Sequence, residues 1–215
     1  MIVGILGGIG SGKSTVTRMF VELGAEALDA DEMAHEALET PAVRREVIDW
    51  LGTGILGTNG SVDRRAVARR VFKNPGDVRR LQSLVHPEVL RRIDARIHAH
   101  RENERQEHLL ILDVPLLLET PLRDACQVLI YVDAPLEARR LRAVERHWDP
   151  EEVEIREKFQ TSNEEKKRLS DFVIDNGGKL DETRRQVESC HARLKELAVK
   201  GRAGHEGPVR PPEVP

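Results

Sequence analysis

The sequence predicts an α/β fold in which helices cover both faces of a doubly wound, mainly parallel five-stranded sheet. Three observations predict it. Short apolar runs recur along the chain, the segments between them are polar with helical spacing, and the first run passes directly into a glycine-rich turn. Buried parallel strands read as such apolar runs, and strands that alternate with helices form parallel sheets with right-handed crossovers.

The composition is that of one domain with an insertion. The chain has 215 residues, of which 39% are hydrophobic, enough for one core but not for two full domains. Basic residues number 34 and acidic residues 37, so the formal net charge of -3 favours neither nucleic acid nor an anionic membrane as a partner. No stretch approaches the roughly 20 apolar residues of a membrane span. With only two cysteines, we expect a reducing compartment, the cytoplasm.

Five short apolar runs are the predicted strands. They are residues 2–6, the weaker run 25–28, 109–112, 128–132 and 172–174. Residues 14–23 form a helix after the first strand, because their apolar side chains recur at helical spacing and Gly24 is placed to end it.

The segment 32–108 is too long for a simple crossover between two strands. It contains amphipathic stretches at 43–51, 62–72 and 78–97, so it is predicted to be a helical insertion in a single domain spanning 1–200. The tail, 201–215, has glycines and prolines with almost no large apolar side chain, and is predicted to be disordered.

The most specific motif follows the first strand. Residues 7–14 read Gly-Gly-Ile-Gly-Ser-Gly-Lys-Ser, a complete G-x-x-x-x-G-K-[ST] phosphate loop between a predicted strand and a predicted helix. Its glycines let successive backbone N–H groups point at phosphate oxygens, and the following helix adds the partial positive charge of its N-terminus. The motif predicts a P-loop NTPase-type fold; the alternative is a glycine-rich turn that binds nothing.

Each polar residue of the loop has an expected role. Lys13 is expected to reach the β- and γ-phosphates, Ser14 to supply a hydroxyl to Mg²⁺, and Thr15 to bond the α-phosphate. The predicted ATP-binding residues of this segment are Gly10, Ser11, Gly12, Lys13, Ser14 and Thr15.

Two aspartates after the second strand favour a kinase over other P-loop proteins. Alternate side chains at the carboxyl end of a strand point the same way, so Asp31 is placed to orient an acceptor hydroxyl and take its proton, supported by Asp29. The alternative is that the pair starts the next helix, as N-cap and first-turn acid.

Asp113 ends the third apolar run. An acid at that position is predicted to hold Mg²⁺ through water, although a structural loop acid is the alternative. The apolar residues that follow, 115–118, offer a wall for the acceptor, and Leu116 is taken as its representative.

These motifs occur in the order seen in dephospho-coenzyme A kinases, which the chain resembles from residue 2 to about 177. The resemblance is carried by the phosphate loop with Thr15, Asp29-Ala30-Asp31, His86-Pro87, Asp113-Val114-Pro115-Leu116-Leu117 and Val173-Ile174-Asp175-Asn176. It implies a phosphotransferase that moves the ATP γ-phosphate to the ribose 3′-hydroxyl of dephospho-CoA with Mg²⁺. The products are CoA and ADP, in the last step of CoA biosynthesis.

The resemblance also implies roles for further segments. Asp31 matches the catalytic base, the insertion matches a CoA domain, and 136–168 matches a lid that closes over ATP. Arg64, Arg65 and His86 fall in the substrate-facing insertion. For His86 the alternative is a residue at the start of a helix fixed by Pro87.

Four arginines follow the fourth strand, and two of them share a helical face. Arg142 and Arg146 are four residues apart and are predicted to clamp the transferring phosphates, with Arg142 in a catalytic role. The alternative for Arg142 and Arg146 is a solvated basic face paired with Glu137 and Glu145, and for Arg139 that interpretation is preferred. The segment 147–150 is about one residue shorter than the family form, and Phe159-Gln160 stands where Ala-Gln is usual in the family.

Asn176 follows the last strand, where the adenine ring is expected in this fold, and is predicted to bond it; a plain turn is the alternative. Another small P-loop kinase and a nucleotide switch without transfer are the competing functions. The expected partners are ATP and dephospho-CoA, with the protein a monomer or a weak homo-oligomer.

Overall fold

The structure, a computed structural model, describes residues 1–71, 73–102, 108–145 and 160–200. The chain divides into two compact units, one made of Met1–Leu28 with His100 onward and the other of Asp29–Ala99. The first unit contains the sheet and the second is helical. The second unit overlaps the predicted insertion, 32–108.

The described sheet has five strands in the spatial order β2-β3-β1-β4-β5. The strands are β1 Ile2–Gly7, β2 Glu26–Asp29, β3 Leu110–Asp113, β4 Val128–Asp133 and β5 Phe172–Asp175. β1 pairs in parallel with both β3 and β4, and β4 pairs in parallel with β5. The predicted five-stranded, mainly parallel sheet is confirmed. Each strand ends one residue beyond its predicted apolar run, and in β2 to β5 that last residue is an aspartate.

Helices connect the strands and make up the second unit. In chain order they are α1 Lys13–Glu22, α2 Ala30–Glu39, α3 Pro41–Leu51, α4 Arg64–Val71, α5 Pro75–Glu102, α6 Leu136–Glu145, α7 Asn163–Arg168 and α8 Leu180–Lys200. None of the helices in the described ranges has the length and apolar character needed to cross a membrane.

The core of the first unit lies between the sheet and helices α1 and α8. Val16 and Phe20 of α1 pack with Val187 and Leu194 of α8 in one cluster with the strand residues, and all four side chains are fully buried. Burial of each such side chain contributes about 1.5–3 kcal/mol. This packing fixes α1 against β1, and therefore fixes the loop that joins them.

Both cysteines are buried, free thiols, and Cys190 belongs to this core. Burial raises the pKa of Cys126 to about 11 and that of Cys190 to about 12. Both thiols are therefore protonated at neutral pH, which excludes them as nucleophiles.

Helix α5 of the second unit continues through Pro87, which lies in its interior. Proline has no N–H, so the helix loses one hydrogen bond there. His86 consequently lies in the middle of a helix, with its side chain exposed. Its interpretation as a residue that starts a helix is wrong, because α5 begins at Pro75, well before His86.

Candidate active site

Two glycines give the phosphate loop its shape. Gly10 and Gly12 have φ angles of 75° and 91°, in the left-handed region that side-chain-bearing residues rarely adopt. A Cβ on Gly10 would lie 2.5 Å from the carbonyl oxygen of Arg139, and a Cβ on Gly12 would overlap the amide of Asn176. Only glycine fits at either position, so the conformation of the loop follows directly from its sequence.

Side chains from other segments donate hydrogen bonds to the backbone carbonyl oxygens of the loop. Nδ2 of Asn176 donates to the carbonyl oxygen of Ser11 at 2.8 Å, and Nη1 of Arg142 donates to the same oxygen at 3.2 Å and to that of Gly10 at 3.4 Å. Nη2 of Arg142 also donates to the carbonyl oxygen of Asn176 at 2.7 Å. The structure thus brings together Arg142 and Asn176, two residues predicted from distant parts of the sequence, on the carbonyl side of the loop.

Asn176 is 5% exposed, and its Oδ1 accepts a hydrogen bond from the Thr183 hydroxyl at 3.0 Å. Its backbone N–H donates to the carbonyl oxygen of Asp133 at 2.8 Å. A residue bonded to three segments is more than a plain turn: it ties the ends of β4 and β5 to the phosphate loop. Its contact with adenine stays a prediction.

The residues that complete the motif begin α1, as predicted. The Lys13 ammonium donates to the carbonyl oxygen of Gly7 at 3.3 Å, so its side chain turns back along the loop towards the end of β1. Ser14 is exposed and Thr15 is half-buried in the first turn of the helix. Ser11 is buried, and its Oγ has no hydrogen-bond partner among the described residues.

Asp113 is the last residue of β3 and is 6% exposed. Its Oδ2 accepts a hydrogen bond from Oγ1 of Thr17 at 3.0 Å. Thr17 lies one helical turn after Ser14, and residues three apart share a helix face. Asp113 is therefore fixed beside the first turns of α1. It ends a strand and does not belong to a loop, which argues against the structural loop acid.

A narrow crevice lies at the carboxyl ends of β1 and β3. Its polar lining comes from Lys13, Glu119 and Lys166, and its apolar lining includes Pro115 and Leu117. Leu116 does not line this crevice: it is 38% exposed. The neighbours of Leu116 supply the apolar lining of the crevice, and a contact of this wall with the acceptor stays a prediction.

The structure places two further side chains, those of Arg139 and Asn163, against the phosphate loop. A Cβ on Gly8 would lie 2.5 Å from Nη1 of Arg139 and 2.9 Å from Oδ1 of Asn163, so both side chains cover this part of the loop. Arg139 is half-buried, which differs from its interpretation as a solvated residue. The available signal was its position three residues before Arg142, on the same face of α6.

The predicted acceptor residues other than Leu116 belong to the second unit. Oδ1 of Asp29 accepts the backbone N–H groups of Asp31 at 2.8 Å and Glu32 at 3.2 Å, so Asp29 is the N-cap of α2. Asp31 lies in the first turn with an exposed side chain. Arg64 and Arg65 begin α4 and are exposed. The roles of these residues and of His86 in substrate binding stay predictions.

Part of the predicted lid falls outside the described residues. Arg146, the short segment 147–150 and Phe159 are all in this part. Within the described part of 136–168, α6 and α7 are helical.

Comparisons with known proteins identify the family of this chain. The family model described as dephospho-CoA kinase matches residues 1–182. A dephospho-CoA kinase of Aquifex aeolicus is 38% identical over 193 residues, covering 89% of this chain and 96% of that protein. A dephospho-CoA kinase of Symbiobacterium thermophilum is 41% identical over 193 residues, covering 88% of this chain and 79% of that protein.

Solved structures show the same fold. The Thermus thermophilus protein TT1252 is 35% identical with a TM-score of 0.67, covering 90% of this chain and 97% of that chain. A dephospho-CoA kinase from Campylobacter jejuni, at 21% identity, has a TM-score of 0.69 over 91% of this chain and 97% of its own. The matched residues include the phosphate loop and the acids that end β2 and β3. The chain belongs to the dephospho-CoA kinase family.

Proposed function

We propose that this chain is a dephospho-CoA kinase, which transfers the γ-phosphate of ATP to the ribose 3′-hydroxyl of dephospho-CoA and releases CoA and ADP. The observation that carries the proposal is a complete phosphate loop, fixed by Arg142 and Asn176, in a chain that belongs to this family. A phosphate loop alone is shared by many proteins with different activities, so the family narrows the reaction.

The first unit supplies the donor side of the reaction. Backbone N–H groups of the loop and the N-terminus of α1 hold the phosphates, and the Lys13 ammonium moves from the Gly7 carbonyl to the β- and γ-phosphate oxygens. Arg142 acts through its bonds to the Gly10 and Ser11 carbonyl oxygens, which keep the opposite edge of the loop pointing at the nucleotide. Gly12, Ser14 and Thr15 complete this donor site.

Asp31 supplies the acceptor side. Its carboxylate orients the 3′-hydroxyl and takes its proton as the hydroxyl oxygen bonds to the γ-phosphorus. The bond from that phosphorus to the β,γ-bridging oxygen breaks at the same time, and ADP leaves with the electron pair. Asp29 fixes the start of α2, and therefore the backbone of Asp31, through its capping bonds.

The donor set of the site fits Mg²⁺. Ser14 offers a hydroxyl and Asp113 a buried carboxylate, which are the hard oxygen ligands that Mg²⁺ takes together with nucleotide phosphates and water. In the described part of the chain no group of three or more His, Cys, Asp or Glu forms a metal cluster. When bound, Mg²⁺ would neutralise charge on the β- and γ-oxygens, with Ser14 as a ligand and Asp113 acting through water.

The helical second unit is proposed as the CoA domain, and 136–168 as the lid. Arg64 and Arg65 are exposed guanidinium groups suited to an anionic acceptor, and His86 is exposed on α5. Leu116 is proposed to contact the acceptor from its exposed position, and Arg146 to join Arg142 at the phosphates.

One assay tests the proposal. Purified protein is incubated with Mg-ATP and dephospho-CoA, and ADP and CoA are followed together; we expect equal amounts of both. A parallel panel of nucleosides and nucleoside monophosphates tests the competing kinases. Product from one of these acceptors without CoA would contradict the proposal, and ATP binding without any product would assign the chain to the nucleotide switches. The cytoplasmic location and the oligomeric state stay predictions.

A further inference from the structure

We infer that Lys166 is a second lysine of the phosphoryl-transfer site, and that its ammonium stabilises the γ-phosphate in the transition state. This inference rests on the proposed function and deepens it. Lys166 lies on α7 and is 4% exposed. It lines the same narrow crevice as Gly7 and Lys13, at the carboxyl end of β1.

The surroundings of Lys166 are built to orient an ammonium group. Its Nζ donates to Oε1 of Gln160 at 2.8 Å. The next residue, Thr161, donates its N–H at 2.6 Å and its hydroxyl at 2.9 Å to Oε1 of Glu119. Glu119 itself lines the crevice, so its carboxylate both anchors the segment before α7 and adds negative charge near the two lysines. Burying an ammonium is costly unless hydrogen bonds and charge compensate it, and these residues supply both.

A second residue of α7 points to the same phosphate loop. Asn163 precedes Lys166 by three positions, so both lie on one helix face. The Asn163 amide covers Gly8, and its Oδ1 is buried with no hydrogen-bond partner among the described residues. Neighbouring Lys167, by contrast, is exposed and bonds to Asp133 at 2.7 Å. Lys166 therefore faces the crevice and Asn163 faces the phosphate loop, whereas Lys167 is exposed and paired with Asp133.

The chemistry needs charge stabilisation rather than another proton carrier. As the acceptor oxygen bonds to the γ-phosphorus and the bridging oxygen departs with ADP, negative charge spreads over the three equatorial oxygens. The Lys166 ammonium remains protonated throughout and donates hydrogen bonds to those oxygens. The Lys13 ammonium stays at the β- and γ-phosphate oxygens. Such preorganised donors in a water-poor crevice act mainly on the transition state, so their loss lowers kcat more than it lowers nucleotide affinity.

The test compares Lys166→Met with the matched control Lys167→Met. We expect Lys166→Met to lower kcat for CoA formation by about 10²-fold. The Kd of this variant for ADP, measured by calorimetry, should stay within about threefold of that of the unchanged protein. Its Kd for a non-hydrolysable ATP analogue should rise by a larger factor than its Kd for ADP. Lys166→Arg should recover part of kcat, and Lys167→Met should behave as the unchanged protein.

The readouts separate a phosphate contact from a structural role. If Lys166→Met is poorly folded by circular dichroism, Lys166→Gln, which keeps a hydrogen bond to Gln160, is judged by the same criteria. A kcat within threefold of the unchanged protein would overturn the inference, and so would a parallel loss of folding and ADP affinity in both variants. If the unchanged protein made no CoA, the proposed function would fail alone, because the comparison of ADP with the ATP analogue needs no acceptor.

Discussion

The charged side chains predicted to act around the phosphate loop and those predicted to act in the helical second unit differ in their burial. Around the loop, Arg142, Lys166 and Asp113 are buried or half-buried, and each forms hydrogen bonds to another segment. In the second unit, Asp31, Arg64 and Arg65 are exposed in the first turns of their helices. A buried charge must be held in one geometry by its hydrogen bonds, and an exposed charge need not be. We therefore infer that the donor site is rigid.

The largest effect is expected from Lys13→Ala. Removing the ammonium that reaches the β- and γ-phosphates should lower kcat by about 10³-fold or more. The thermal midpoint should change little, because Lys13 lies half-buried at the start of α1 and outside the core. Arg18→Ala, at an exposed position of the same helix, is the control. Retained activity in Lys13→Ala would remove the phosphate loop from the mechanism.

Asp31→Asn tests the acceptor side, with an expected fall in kcat of about 10²- to 10⁴-fold. Asparagine has the shape of aspartate but cannot take the proton of the acceptor hydroxyl. The Kd for ATP should remain unchanged, because the donor site belongs to the other unit. The measurement is CoA formation at saturating ATP, together with calorimetric ATP binding.

The matched control for Asp31→Asn is Asp29→Asn. Asparagine is as good an N-cap as aspartate, so the bonds to the N–H groups of Asp31 and Glu32 are retained and activity should change little. Asp29→Ala should lose about 1 kcal/mol of stability to unfolding through the lost cap. Equal losses of activity in Asp29→Asn and Asp31→Asn would mean that the two aspartates act as one unit. That result would contradict the assignment of Asp31 alone as the base.

The same contrast explains what the sequence predicted. The loop conformation was predictable because Gly10 and Gly12 determine it locally, and the strands were predictable because buried parallel strands require apolar runs. Lys166 and Asn163 carried no local signal: α7 is a short polar helix, and only its packing at the carboxyl end of β1 brings them to the site. Arg64, Arg65 and His86 were named through resemblance, because an exposed arginine or histidine has many possible roles.

Arg142→Ala should have an intermediate effect that sharpens the account of the donor site. Its guanidinium bonds three backbone carbonyl oxygens, those of Gly10, Ser11 and Asn176. Losing these bonds should loosen the loop and weaken ATP binding by about tenfold, the equivalent of 1.4 kcal/mol. If Arg142 also contacts the phosphates directly, kcat should fall as well. Calorimetry and steady-state kinetics separate the two contributions.

The control for this variant is Arg140→Ala on the same helix. Arg140 is exposed and its Nη1 lies 3.4 Å from Oε1 of Glu137. A surface pair of this kind contributes at most about 1 kcal/mol to stability, and it lies away from the loop. ATP affinity within twofold of the unchanged protein in both Arg140→Ala and Arg142→Ala would contradict a rigid donor site.

The smallest effect concerns an ion-pair network of the second unit. Glu88 on α5 accepts hydrogen bonds from Arg91 at 2.8 Å and from Arg92 at 2.7 Å, and Arg92 also bonds Glu36 of α2 at 2.8 Å. The two guanidinium groups lower the pKa of Glu88 from its usual 4.5 to about 2. Because the folded pKa lies below the unfolded one, the stabilisation is complete above pH 4.5 and is lost as the pH falls towards 2.

Glu88→Gln removes the carboxylate charge and so measures what this network contributes to the free energy of unfolding. Because the network is partly exposed to solvent, we expect the variant to be less stable to urea by only about 0.5–1 kcal/mol at pH 7. The difference should shrink as the pH is lowered from 4.5 to 2, since Glu88 becomes neutral like its replacement. ATP affinity should not change. A difference in stability that is constant from pH 7 to pH 2 would show that the glutamine alters packing, because charge pairing alone cannot survive protonation of Glu88.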